Sequence, residues 1–211
     1  MSESVVLTNV QFNWLDVLAE NKKYGNYRAE CLIEPDSEND KILAEAILAA
    51  ATEKWGETKA PNYLKSATAN KKVCRKAGET MNPNRNTGEI AEYYLGKVVL
   101  NASRKADRDG APSVYCAREN DSTRLVRADA DSNFEGLVRP TSGSFGDVIV
   151  NIWAWEHDGA PQINCTLETI AFRAQGEPLG VQRGLSVDQE ASLLGVEIEI
   201  EDDGNPFQLS A

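Results

Sequence analysis

Histidine is almost missing from this chain of 211 residues: His157 is the only one, and it falls in a turn signal. General acid–base chemistry of the usual imidazole kind has that single candidate, so catalysis by it is not expected. The phosphate-cradling GxxxxGK[ST], the dinucleotide-binding GxGxxG and the zinc-binding HExxH are absent as well. Asp36, Glu38 and Asp40 open like a calcium loop. Its sixth position, however, is Lys41 where glycine is needed, and its twelfth is Ile47 where a bidentate glutamate is needed. Asp129, Asp131 and Glu135 lie in a turn-rich stretch, where carboxylates are ordinarily solvated rather than bound to metal. Cys31, Cys74, Cys116 and Cys165 form no CxxC pair, so reduced and mostly buried thiols are expected. No apolar run approaches the roughly 20 residues of a membrane span, and MSESVVLTNV lacks the basic-then-apolar pattern of an export signal. The expectation is a soluble, non-enzymatic protein with no cofactor, no metal and no membrane partner.

What is abundant is charge, and it is segregated. The net charge is −11. Residues 1–53 carry −6, residues 54–127 carry +7 and residues 128–211 carry −12. A basic middle third is suited to phosphates, while acidic flanks compete for the same surface. With 41% hydrophobic residues the chain has enough apolar mass for one sizeable core.

Val5 to Phe12 and Tyr24 to Ile33 are short strand-like runs joined by a loop or wide hairpin. Ser37, three residues before Asp40, caps a helix over about residues 37–55, and Gly56 ends it. The helix has a richer apolar stripe of Leu43, Ile47, Ala50 and Ala51. Residues 57–91 are polar and basic, and read as a long functional loop with one or two short strands. Glu92 to Ser103 returns to strand character, a short strand spans Val114 to Ala117, and residues 129–134 are loop. A short C-terminal helix is expected over VDQEASLL, capped by Ser186 with Gln189 at the third position and ended by Gly195. The last stretch, VEIEIEDDGNPFQLSA, has the charge density of a mobile tail.

The most regular stretch is Gly143 to Phe172, two alternating runs around His157-Asp158-Gly159-Ala160-Pro161, which predicts a β-hairpin. Val148, Val150, Ile152 and Ala154 share one face; Ile149, Asn151, Trp153 and Trp155 share the other. The two indoles would stand about 6–7 Å apart at strand rise. Parity alone leaves open whether that face is core or surface. Around it the sequence supplies cations interleaved with aromatics: Tyr63, Lys65, Lys71, Lys72, Arg75, Lys76, Arg85, Tyr93, Lys97, Arg104, Lys105, Trp153 and Trp155. Lysine and arginine pair with phosphate and aromatic faces stack bases, which is the combination that holds single-stranded DNA.

Five stretches in order, LTNVQFNW, YGNYRAECLIEPDS with its alanine-rich helix, YYLGKVVLNASRK, SGSFGDVIVNIWAWEHDG and LETIAFRAQGEPLG, resemble the tailed-phage single-stranded DNA-binding protein family over roughly residues 5–180. The resemblance implies an OB-fold, a five-stranded barrel that binds oligonucleotides across one face, and a role in phage DNA replication, recombination or repair in the cytoplasm of the infected host. EDDGNPF is similar to the acidic, Pro-Phe-ending tail of bacterial single-stranded DNA-binding proteins, which recruits replication proteins and competes with DNA. Here Gln208 to Ala211 follow Phe207, so a pocket that reads a terminal phenylalanine carboxylate is not engaged in the same way. The candidate regulatory residues are Glu197, Glu199, Glu201, Asp202, Asp203 and Phe207.

The sequence thus predicts a mainly β fold with α: an OB barrel with an inserted helix over 37–55, a long basic loop and a short C-terminal helix. Its DNA-binding domain spans 1–195 and its acidic tail 196–211. Binding of single-stranded DNA without base preference is expected, with duplex DNA, replication proteins and a homodimer as further partners left open. The competing reading is an acidic, DNA-mimicking interaction protein, which accounts for −11 but gives the +7 segment no role.

Overall fold

A computed structural model describes residues 4–84 and 88–179. The chain opens with β1 (Ser4–Asn21) and β2 (Asn26–Ile33), followed by helices α1 (Glu38–Trp55) and α2 (Ala60–Ala69) and the short β3 (Arg75–Ala77). Then come β4 (Val98–Lys105), the one-turn α3 (Ala106–Asp109), β5 (Ser113–Arg118), β6 (Asp121–Ala128), β7 (Phe145–His157) and β8 (Ala160–Ala174). Among the described residues the strands belong to one eight-stranded sheet in the order β3-β4-β2-β1-β7-β8-β5-β6, and an additional pairing joins β4 to β8. That pairing turns the sheet back on itself. β1, β2, β4, β8 and β7 form a ring of hydrogen-bonded neighbours, with β3 and the β5–β6 hairpin outside it.

β4 and β8 meet in parallel only where Ser103 pairs with Thr166. On one side of that contact, residues 72–74 are wedged between the strands. The Ile163 amide donates to the Lys72 carbonyl (2.9 Å), the Cys74 amide to the Ile163 carbonyl (3.0 Å), and the Asn101 amide to the Cys74 carbonyl (3.0 Å). On the other side β5 takes over as partner of β8, from Ser113 opposite Thr169 to Cys116 opposite Phe172. Residues 72–74, β4 and β5 thus supply backbone partners to this edge of β8 in turn, as burial demands.

The ring closes around Leu7, Phe12, Leu100, Val148, Val150, Ile152, Ile163, Leu167, Ile170 and Phe172, each at most 2% exposed. Burying each such side chain is worth about 1.5–3 kcal/mol, and Phe12 meets Phe172 edge to face at 5.2 Å. Helix α1 starts where the Ser37 hydroxyl accepts from the Asp40 amide and stops at Gly56 with φ 77°, as the capping signals predict. It buries Leu43, Ile47, Ala50 and Ala51. The hairpin turns at Asp158 and Gly159, both at positive φ (49° and 75°), the two-residue geometry that Asp-Gly favours.

Two segments differ from the sequence reading. Residues 57–91, expected as loop with short strands, contain helix α2. Pro61 sits in its first turn, where a missing amide hydrogen has no cost. Its buried contacts, Ala60 and Ala67, are too small to give a strong apolar period. β1 also continues through residues 14–21, expected as loop, by way of a register shift between Asn13 and Asp16. The predicted C-terminal helix and the acidic tail lie outside the described residues. All four cysteines are buried and free, and burial pushes the Cys116 thiol up to about 11. Among the described residues no helix is long and apolar enough to cross a membrane.

A second, small core lies on the outer side of β2 and β4, where Tyr94 covers Leu32 and Val99 together with Met81, Ile90 and Tyr93. At its edge sits a polar cluster. The Tyr94 hydroxyl donates to Glu30 Oε2 (2.6 Å), the Asn13 amide to the Tyr94 oxygen (3.1 Å), and the Ser142 hydroxyl to Asn13 Oδ1 (2.6 Å). Burial pushes the Glu30 carboxyl above its ordinary value, opposed by the hydrogen bond from Tyr94 and by the charges of Arg28 and Lys76. A carboxyl raised in the folded state binds its proton more tightly there, so its stabilising effect is complete below the unfolded value of about 4.3 and is lost as pH rises through the folded one. Glu30→Gln removes that dependence. Relative to the parent, the variant should be more stable at pH 7 than at pH 4, as read by urea midpoints at the two pH values.

Candidate nucleic-acid interface

The β7–β8 hairpin resolves the ambiguity of its two faces. Val148, Val150 and Ile152 are buried, whereas Trp153 is half-buried and Trp155 is 44% exposed. The indoles are 6.5 Å apart, and the His157 ring stacks on Trp155 at 5.9 Å with an interplanar angle of 12°. Strand alternation thus lines three rings along one outward edge. Trp153 is fixed from behind, its Nε1 donating to Thr166 Oγ1 (3.0 Å), while Trp155, stacked on His157, is the more exposed of the two indoles.

The wedge brings cations beside these rings. Trp153 and Trp155 lie opposite Asn164 and Gln162 on β8. Ile163, between them, is bonded on its other side to Lys72. Lys71 and Lys72 are exposed, as is Lys65 on α2, and among the described residues none of the three has an ion-pair partner. Lys76 is half-buried on β3, opposite Val99. Lys105 is exposed at the far end of β4, its ammonium donating to the Tyr24 carbonyl (3.3 Å).

Other members of the sequence-derived set are engaged within the fold. Arg75 forks onto Asp40 with bonds of 2.8 and 3.0 Å, and this holds the Asp40 carboxyl below its ordinary value. Arg104 bonds Glu168 and the carbonyls of Asp109, Gly110 and Leu167, which ties β4 to β8. Lys97 pairs with Glu34. Tyr63 packs on Trp55 (5.1 Å) and Tyr93 on Tyr94 (4.5 Å). Arg85 and the tail residues Glu197, Glu199, Glu201, Asp202, Asp203 and Phe207 lie outside the described residues.

Sequence reasoning passed over Trp14. It shares parity with the buried Phe12, so alternation sends it to the core, yet it is 45% exposed. The register shift after Asn13 moves the inward parity from Phe12 to Val17, and Trp14 adopts φ 45° in between. The Arg28 guanidinium lies over its ring at 5.6 Å and is itself held by Asp16 at 2.5 Å. The parity of Val10 and Phe12 points Trp14 inward, and no local signal in the sequence specifies the bulge that turns it out.

The two tryptophan regions are linked by register. Asp16 pairs with Arg28, Arg28 with Ser103, Ser103 with Thr166, and Thr166 receives the Trp153 hydrogen bond. Arg28, Ser103 and Thr166 all reach the outer surface, so a continuous polar row crosses β1, β2, β4 and β8 between Trp14 and Trp153.

Comparison with known proteins agrees with this architecture. No curated protein sequence matches the chain. The single-stranded DNA-binding protein from bacteriophage Enc34 has a similar structure, with a TM-score of 0.57 at 19% identity, covering 88% of each chain. The same phage protein in complex with single-stranded DNA matches with a TM-score of 0.59 at 18% identity, covering 84% of this chain and 89% of that one. The model of the Enterobacter phage Enc34 single-stranded DNA-binding protein family matches residues 3–192, and the chain belongs to that family.

Proposed function

We propose that the chain binds single-stranded DNA without base preference. The observation that carries the reading is the Trp153, Trp155 and His157 edge with Lys71 and Lys72 beside it across β8. Indole faces stack any base, and ammonium groups pair with the phosphates between them. The five-stranded ring is read as an OB barrel, a reading supported by its antiparallel neighbours with one parallel contact, β4 to β8, and by the family's likeness. The role follows as coating of single strands in phage DNA replication, recombination or repair, in the cytoplasm of the host. The DNA-mimic alternative is disfavoured by an exposed aromatic edge flanked by lysines, a surface that attracts anions.

Affinity for an oligothymidylate should fall with salt, log K against log[salt] having a slope of about −0.7 per phosphate contacted. Replacing Lys71 and Lys72 by alanine should flatten that slope by up to about 1.4. Trp155→Ala should weaken binding by roughly 1–3 kcal/mol with an unchanged melting temperature, because its ring is exposed. Fluorescence titrations at several salt concentrations measure both. Salt-insensitive binding, or a blank gel shift at low salt, would return the protein to the mimic class.

The acidic tail is proposed to occupy the same face through Glu197, Glu199, Glu201, Asp202 and Asp203. Deleting residues 196–211 should then tighten binding, with the largest gain at low salt, where charges are least screened; the same titration on the shortened chain checks it.

A further inference from the structure

We propose that Trp14 is a second base-stacking platform and that a bound strand follows the polar row from the β7–β8 hairpin to Trp14. The inference rests on the single-strand-binding reading and extends it to the path of the strand and to residues not assigned above.

Three observations converge. A bulky side chain at φ 45° is an outlier among L-residues, and such strained positions persist where function requires a particular aim. Here the strain places an indole in solvent where regular alternation would bury it. The ring is also held in place: Arg28 lies over it at 5.6 Å while the Arg28 Nε is fixed by Asp16. An indole backed by a cation and open to solvent is a prepared stacking surface.

The third observation is the route. From Arg28 through Ser103 to Thr166 the surface crosses two strand spacings, roughly 10 Å, with small or polar side chains that leave a phosphodiester room to pass. Thr166 then receives the Trp153 hydrogen bond. At the Trp14 end the β1–β2 turn adds exposed Lys22 and Lys23, the latter over the exposed Tyr24 ring at 5.1 Å, and Lys105 bonds the same turn. Both ends of the row thus combine an exposed aromatic with cations, while Ser103 and Thr166 between them bring no negative charge. The carboxylates beside the row, Asp16, Glu30 and Glu168, are already engaged by Arg28, Tyr94 and Arg104.

The test uses the full chain and its Trp14→Asn variant. Asparagine tolerates positive φ, so this change removes the ring while relieving the backbone, which offsets the lost contacts with Tyr94 and Arg28, and the melting temperature should stay close to the parent's. The parent should bind an oligothymidylate of about 16 nucleotides more tightly than one of about 4 nucleotides, lengths that bracket the sites of single barrels. Trp14→Asn should lose about tenfold on the longer oligomer and should lose most of the gain with length. Trp14→Phe, which keeps an aromatic face, should recover much of the loss. Full length dependence retained in Trp14→Asn would overturn the platform while leaving the function intact. A melting temperature lowered by Trp14→Asn would make the residue structural and would also overturn it. A parent that binds neither oligomer would remove the binding reading itself, an outcome distinct from both.

Discussion

Closure of the sheet between β4 and β8 is the contact on which the surface chemistry depends. One parallel pair, Ser103 with Thr166, cannot seal two strands by itself. Residues 72–74 complete the seam by bonding to Ile163 on one side and Asn101 on the other, and Arg104 adds bonds to the Leu167 carbonyl and Glu168. The wedge does two things at once. It satisfies the backbone of β8 where β4 is out of reach, and it delivers Lys71 and Lys72 to the strand that pairs with Trp153 and Trp155. A structural repair and the proposed binding surface thus share residues 71–74. The row of side chains from Arg28 to Thr166 exists only because the seam is shut.

The chain's electrostatics make sense once its cations are sorted by partner. The net charge of −11 repels DNA at long range, so binding has to come from local charges left unneutralised. Arg75, Arg104 and Lys97 are matched by Asp40, Glu168 and Glu34 and stabilise the fold instead. Exposed pairs contribute little. The Arg75 pair differs because the Asp40 side chain is only 9% exposed, and its fork joins the start of α1 to β3. What remains at the surface beside the indoles is lysine, concentrated where the wedge emerges.

Much of this was legible in the sequence. The β7–β8 hairpin announced itself by strict alternation and Asp-Gly, and α1 by Ser37, its apolar stripe and Gly56. The order of the family motifs carried the class of fold. What could not be read has identifiable causes. α2 buries alanines, whose periodicity is weak among its polar residues. Trp14 sits at a bulge, and a single inserted residue reverses the parity on which strand reading depends. The division of arginines into structural and surface members depends on partners 35 and 64 positions away, separations at which no local pattern indicates pairing. The wet face of the hairpin was undecidable for a related reason, since both faces carry apolar rings or chains and only the closed ring of strands defines an inside.

The same sorting bears on why binding through this face would be indifferent to sequence. Base-specific reading in nucleic acids relies heavily on the planar guanidinium fork, which matches two acceptors on one base edge. The guanidinium groups near the row are already committed: Arg28 to Asp16 and the Trp14 ring, Arg75 to Asp40, and Arg104 to Glu168 and three carbonyls. The groups left to meet a strand are indoles, which accept any base face, and ammonium ions, which act as point charges toward phosphate. Committing these three arginines to the fold thus stabilises the ring of strands and, by the same contacts, withdraws from this face the side chains best able to tell one base from another.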